Sequence, residues 1–217
     1  MVEKTVGIDE LYENHPSDFQ DAYENWVSGQ HMVIDEDLGD IAFNAVKDNL
    51  IGTGWCFESS SDVKFSLSFT QGDGVAVLAR FDIENVSDLR IDEMKHMFPM
   101  NTELMRLELF YIETVLTRTN HSRIDWTIDE PFFHNDEQLI EDGMYKGMPV
   151  ETLIELADEE GFQKFAEYLY EDIEKAESAA YSALVEDYEF QTSQELFIEQ
   201  ARDLDMEFEV EDEQLSA

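Results

Sequence analysis

The sequence predicts an α+β fold, a small antiparallel sheet flanked by several helices, within one acidic domain spanning residues 1–217. Two patterns predict it. Apolar residues recur at intervals of three and four over most of the chain, as in helices with one buried face. Between residues 63 and 81 the period changes to two, the spacing of strands with one buried face. A third observation says that the chain folds at all. It carries 52 Asp and Glu against 13 Lys and Arg, a net charge of −39, and charge of that size in a chain poor in apolar groups means disorder. Here 43% of residues are hydrophobic, and fifteen Phe, eight Tyr and three Trp supply large areas to bury.

The first segment, Ile8 to Val27, reads as helical, with Leu11, Tyr12, His15, Phe19, Tyr23 and Trp26 on one stripe. Pro16 interrupts it and suits the first position of a helix, where its missing N–H costs nothing. A second helix is predicted over Asp37 to Leu50, ended by Gly52 and Gly54. Strict alternation in Val63 to Phe69 predicts a strand. Thr70 to Gly74 makes a turn, and Val75 to Phe81 returns, completing a β-hairpin. Helices follow over Asp88 to Met97 and Thr102 to Thr117, then a strand over Ser122 to Ile128.

From Pro149 onward the pattern is helical again. Val150, Leu153, Leu156 and Ala157 form one stripe before Gly161; Phe162, Phe165, Leu169, Ile173, Ala176, Ala180 and Leu184 form a longer one. Glu160, Glu167, Glu171, Glu174 and Glu177 fall on the opposite side. A last helix runs from about Ser193 to Leu204, with Thr192 or Ser193 as its N-cap. In 205–217, Met206, Phe208 and Val210 alternate with glutamates, which predicts an acidic edge strand or tail.

Two pieces carry a family likeness. Phe65-Ser66-Leu67-Ser68-Phe69 leading into Gln71-Gly72-Asp73-Gly74 resembles the strand-turn signature of a family of uncharacterised acidic phage and prophage proteins. The run Tyr181 to Glu209, above all Glu186 to Ser193, is similar to that family's closing segment, and His121-Ser122-Arg123 to a third block. The resemblance implies a phage setting and no particular mechanism.

Catalytic chemistry finds little footing. Asp73 between two glycines could approach a substrate, but glycines at a hairpin tip mainly supply turn geometry. Asp35-Glu36-Asp37-Leu38-Gly39-Asp40 has the look of a calcium loop, yet its glycine comes one position early and Val46 stands where the closing Glu belongs. The histidines at 15, 31, 96, 121 and 134 show no metal-binding spacing. Cys56, between Trp55 and Phe57, reads as a small core residue. There is no Gly-x-Ser-x-Gly elbow and no phosphate-binding loop. The expectation is a protein that is not an enzyme and uses neither metal nor cofactor.

The lone cysteine rules out an intramolecular disulfide and fits a reducing compartment. Met1-Val2-Glu3-Lys4 does not open a secretory signal, and no apolar run is long enough for a membrane span. A cytoplasmic protein of the host cell is expected. A charge of −39 repels nucleic acid and anionic membrane and attracts whatever binds them. It is spread along the chain: residues 136–217 hold 26 acids and 4 bases, and residues 1–135 hold 26 and 9.

Carboxylates three or four positions apart on a helix lie about 5–6 Å apart. That is comparable with phosphates on a DNA strand, where charge recurs about every 3.4 Å of axis. The reading is therefore a phage-encoded DNA mimic that occupies the DNA-binding site of a host defence nuclease or other basic DNA-binding protein. Its partner-binding carboxylates are Glu151, Glu155, Asp158, Glu167, Glu171 and Glu174. The alternative is an acidic accessory or salt-adapted protein that meets its partner through a separate apolar patch. Lys being no rarer than Arg, and Phe outnumbering Ala, weigh against salt adaptation.

Overall fold

The computed structural model describes residues 3–67, 73–116, 122–128 and 139–211. Strand β1 (Glu3–Gly7) runs into helix α1 (Ile8–Asn14), and α2 (Pro16–Leu50) follows after His15. Then come β2 (Thr53–Cys56), a 3-10 turn at Ser60–Asp62, β3 (Val63–Ser66), β4 (Gly74–Val77) and β5 (Arg80–Val86). Helices α3 (Asp88–Met97) and α4 (Pro99–Arg106) precede strands β6 (Phe110–Leu116) and β7 (Ser122–Ile128). The chain closes with α5 (Val150–Ala157), α6 (Glu159–Gln191), α7 (Gln194–Asp203) and β8 (Glu207–Glu211). The fold is α+β, as the sequence predicts.

The elements gather into two compact units, one from Met1–Gly39 and Leu184–Ala217, the other from Asp40–Ala183, and the divisions fall inside α2 and α6. In the first unit β1 and β8 pair antiparallel, from Glu3 opposite Glu211 to Gly7 opposite Glu207. The closing segment is thus an edge strand as far as Glu211, and the rest of 205–217 lies outside the described residues. Against this ribbon packs a core of Val6, Ile8, Leu11, Phe19, Phe197, Ala201 and Val210. Phe197 is its centre, with the rings of Trp26, Phe19, Tyr23 and Phe208 at 5.4, 5.7, 5.9 and 6.0 Å. The Tyr23 hydroxyl donates to the Thr192 carbonyl, and the Ser193 side chain caps α7 by accepting the Leu196 N–H at 3.2 Å.

In the second unit β2, β5, β6 and β7 form a four-stranded antiparallel sheet in that order, while β3 and β4 form a separate hairpin. One sheet face is buried under α6. Trp126 stacks on Phe162 at 5.1 Å, Phe110 meets Phe162 edge-on at 5.1 Å, and the Trp55 indole N–H donates to the Leu169 carbonyl at 2.9 Å. An indole buried in a core requires such an acceptor.

Three expectations need correction. The helix predicted from Asp37 is the second half of one 35-residue helix. No proline stands between Val27 and Asp37 to stop it, so the segment between the two apolar stripes is crossed without a break. The backbone of Asp35–Asp40 is accordingly helical and forms no loop. The helix predicted over Thr102 to Thr117 ends at Arg106 and becomes β6. Glu108, at φ 57°, reverses the chain there. Beyond it Phe110, Ile112 and Thr114 are buried on alternate positions, and β-branched and aromatic side chains favour that pleat. Finally, the strand predicted over Val75 to Phe81 is split between β4 and β5, which belong to different sheets.

Candidate functional site

The acidic helices α5 and α6 belong to the second unit through Ala183. Helix α6 buries Phe162, Phe165, Leu169, Ile173, Ala176, Ala180 and Leu184, the stripe that the spacing predicts, and Ala166 beside them. Its opposite side therefore faces water. Between the helices, Asp158 at φ 48° breaks the run, and its carboxylate accepts the Gly161 N–H at 2.6 Å. Asp158 thus serves as the N-cap of α6, its negative charge lying at the positive end of the helix dipole. Gly161 lies inside α6 and ends nothing.

All six predicted carboxylates, Glu151, Glu155, Asp158, Glu167, Glu171 and Glu174, are exposed. Glu151 and Glu155 lie one turn apart on α5, and Glu167, Glu171 and Glu174 follow one another along α6. They differ in how they are engaged. Glu167 accepts from the Gln163 amide at 3.0 Å, and Glu171 lies 3.8 Å from the Lys175 ammonium. Glu160 holds Lys164 at 2.5 Å. Two i,i+4 lysine pairs, Lys164 with Glu160 and Lys175 with Glu171, thus soften the like-charge repulsion along α6. The face is still strongly negative: the hydrogen bond that Lys164 donates to Glu160, the charge of Glu160, and those of Asp158 and Glu167 hold the Lys164 ammonium protonated above its ordinary range.

Two acids of α6 turn inward instead. Glu177, placed on the solvent side by its spacing, is half-buried and accepts the Val77 N–H of β4 at 3.0 Å. Asp172 lies 2.6 Å from Arg90 of α3, whose guanidinium also covers the Tyr168 ring at 4.1 Å. Burial pushes the Asp172 carboxyl above its ordinary range, against the opposing pull of Arg90. These two carboxylates bind α6 to its own unit. Nothing in their sequence neighbourhood separates them from the exposed ones; only the position of β4 and α3 does.

At the hairpin, Asp73 accepts a hydrogen bond from the Ser66 hydroxyl at 3.0 Å, while Gln71 and Gly72 lie outside the described residues. Cys56 is exposed, which corrects its reading as a core residue: Trp55 and Cys56 point to opposite faces of β2, and the tryptophan takes the buried one. Burial of part of the side chain and the charge of Asp82 push its thiol up, away from a reactive thiolate. Among the described residues no cluster of three or more His, Cys, Asp or Glu could hold a metal ion, and no helix is long and apolar enough to cross a membrane. No protein-family model, no curated protein and no solved structure matches the chain.

Proposed function

We propose that this protein is a DNA mimic, of the kind a phage would encode, which occupies the DNA-binding site of a host defence nuclease or other basic DNA-binding protein. The observation that carries the reading is the exposure of carboxylates at helical intervals on α5 and α6, in a chain of net charge −39. The Lys and Arg side chains of a groove that neutralise DNA phosphates, displacing the cations condensed on them, pair likewise with carboxylates at similar spacing. The inhibitor would act stoichiometrically and without a cofactor. The same charge speeds encounter with a basic partner and bars direct binding of nucleic acid.

The runner-up, an acidic protein docking through an apolar patch, is favoured by one feature. Leu89 and Met97 of α3 are 74% and 55% exposed, two turns apart on the same helix. The two readings separate by salt. Host lysate is passed over the immobilised protein and eluted in a salt gradient, and the captured protein is then tested for competition by duplex DNA. A mimic predicts a steep fall of affinity with salt and displacement by DNA. Capture that is insensitive to both would reject mimicry in favour of the patch.

A further inference from the structure

The second unit holds an open groove of about 940 Å³ lined by the end of β2, by β5, by α3, by the end of α4 and by the start of β6. That volume matches small-molecule sites, which commonly enclose about 300–1,000 Å³. Its lining is unusual for this chain. Bases are outnumbered four to one overall, yet Arg80, Lys95 and Arg106 all line the groove, against five carboxylates. Arg106 is held by Glu103 at 3.1 Å. Arg80 and Lys95 make no ion pair among the described residues, in a molecule where carboxylates are everywhere. The Arg80 guanidinium lies 5.6 Å from the centre of the Tyr111 ring, and Tyr111 is 37% exposed. Together they present a flat cationic and aromatic surface to the groove. Phe81 and Phe110, both buried, are also among the lining residues.

We infer that this groove binds a small aromatic zwitterion, with its ring on the Arg80–Tyr111 surface, its carboxylate at Lys95 and its ammonium among carboxylates such as Asp82 and Glu84. Five acids against three bases in the lining exclude a polyanion, so a nucleoside triphosphate does not fit. A simple cation would have no reason to prefer this groove to the rest of an anionic surface. Only a ligand carrying both charges and a ring uses the unpaired cations, the platform and the acids together. The site is separate from the α5–α6 carboxylates and does not depend on the mimic reading.

The test is a titration of the isotope-labelled full chain with L-phenylalanine at fixed ionic strength, followed by amide chemical shifts. Phenylacetate, lacking the ammonium, and phenethylamine, lacking the carboxylate, are titrated in parallel. Saturable shifts at Arg80 to Glu84 and at Tyr111 are expected with phenylalanine, at an affinity about tenfold above either fragment, the measure of one charge-assisted hydrogen bond. Lys95→Gln changes an exposed lysine that makes no ion pair among the described residues, so folding should be intact while phenylalanine binding weakens about tenfold. The inference is overturned if phenylalanine gives no saturable shifts at these residues. It is equally overturned if phenethylamine binds as tightly as phenylalanine, or if Lys95→Gln leaves the affinity unchanged.

Discussion

The Thr114 hydroxyl donates to the Val77 carbonyl at 2.6 Å, joining a residue of β6 to one of β4 in a different sheet. It also accepts the Ala79 N–H at 2.6 Å, and Thr114 is buried to 4% exposure. The chain leaves β4 at Val77 and enters β5 at Arg80; between them the Leu78 N–H donates to the Asp62 carbonyl and the Ala79 carbonyl accepts the Thr114 N–H, which leaves the Val77 carbonyl and the Ala79 N–H to the hydroxyl. One threonine hydroxyl satisfies a donor and an acceptor that would otherwise be buried unpaired.

Thr114→Val keeps the shape and removes both hydrogen bonds, so it should destabilise the fold by about 1–3 kcal/mol. Thr114→Ser, which keeps the hydroxyl, should recover most of that loss. Urea midpoints at unchanged slope measure both variants.

Gly54 is the position least able to accept a side chain. Its φ is +97°, and an added Cβ would stand 2.5 Å from the Val86 side chain and 2.7 Å from the Phe81 ring. Gly54→Ala should therefore cost about 2–4 kcal/mol, from backbone strain and overpacking together. Gly147, also at positive φ but with open space around it, should lose less when changed to Ala. Comparing the two thermal midpoints tests whether close approach, beyond φ alone, sets the cost.

The Asp172 carboxyl is raised by burial more than Arg90 lowers it. A carboxyl with a raised value in the folded state holds its proton more tightly there than in the unfolded chain. The stability it confers is full below the ordinary aspartate value of about 3.9 and is lost as pH rises through the raised value. Asp172→Asn does not titrate. The melting temperature of the wild type minus that of the variant should fall as pH climbs through this window. A difference that rises instead would show that pairing with Arg90 outweighs burial.

Asp158 serves both as a predicted partner contact and as the N-cap of α6. Asp158→Asn keeps an acceptor and tolerates the unusual backbone, so stability should change little. Asp158→Ala removes the cap and should lose about 1 kcal/mol or more. Glu167→Gln, Glu171→Gln and Glu174→Gln combined should leave stability nearly unchanged. Melting curves of these variants establish which carboxylates can be neutralised in a binding assay without disturbing the helix.

With net charge −39, screening should stabilise the fold. Raising NaCl from about 0.01 to about 0.15 M shortens the Debye length from about 30 to about 8 Å. The thermal midpoint should rise over that range. A chain that stays unfolded until molar salt would point to salt adaptation as the origin of its acidity.

The features legible in the sequence are those that one stretch of chain decides by itself. Helix α3 and strand β7 have the predicted boundaries. Pro16 opens α2 and Ser193 caps α7, because each acts on backbone within its own first turn, the proline by its ring and the serine by its hydroxyl. The exposure of Glu151, Glu155, Asp158, Glu167, Glu171 and Glu174 followed from helical spacing opposite an apolar stripe. The tertiary structure decided the rest. Strand β1 exists through its pairing with β8 at the other end of the chain, and the segment after Arg106 became a strand because β5 and β7 flank it. Glu177 left the solvent face because the Val77 N–H came within reach, and Asp172 is turned to Arg90. Arg80 and Lys95 came to share a groove by the packing of a strand and a helix. Helical and strand periods come from neighbours a few residues apart, so the sequence carries them openly. A hydrogen bond, an ion pair or a groove between distant elements depends on where packing brings them, and no local pattern records that.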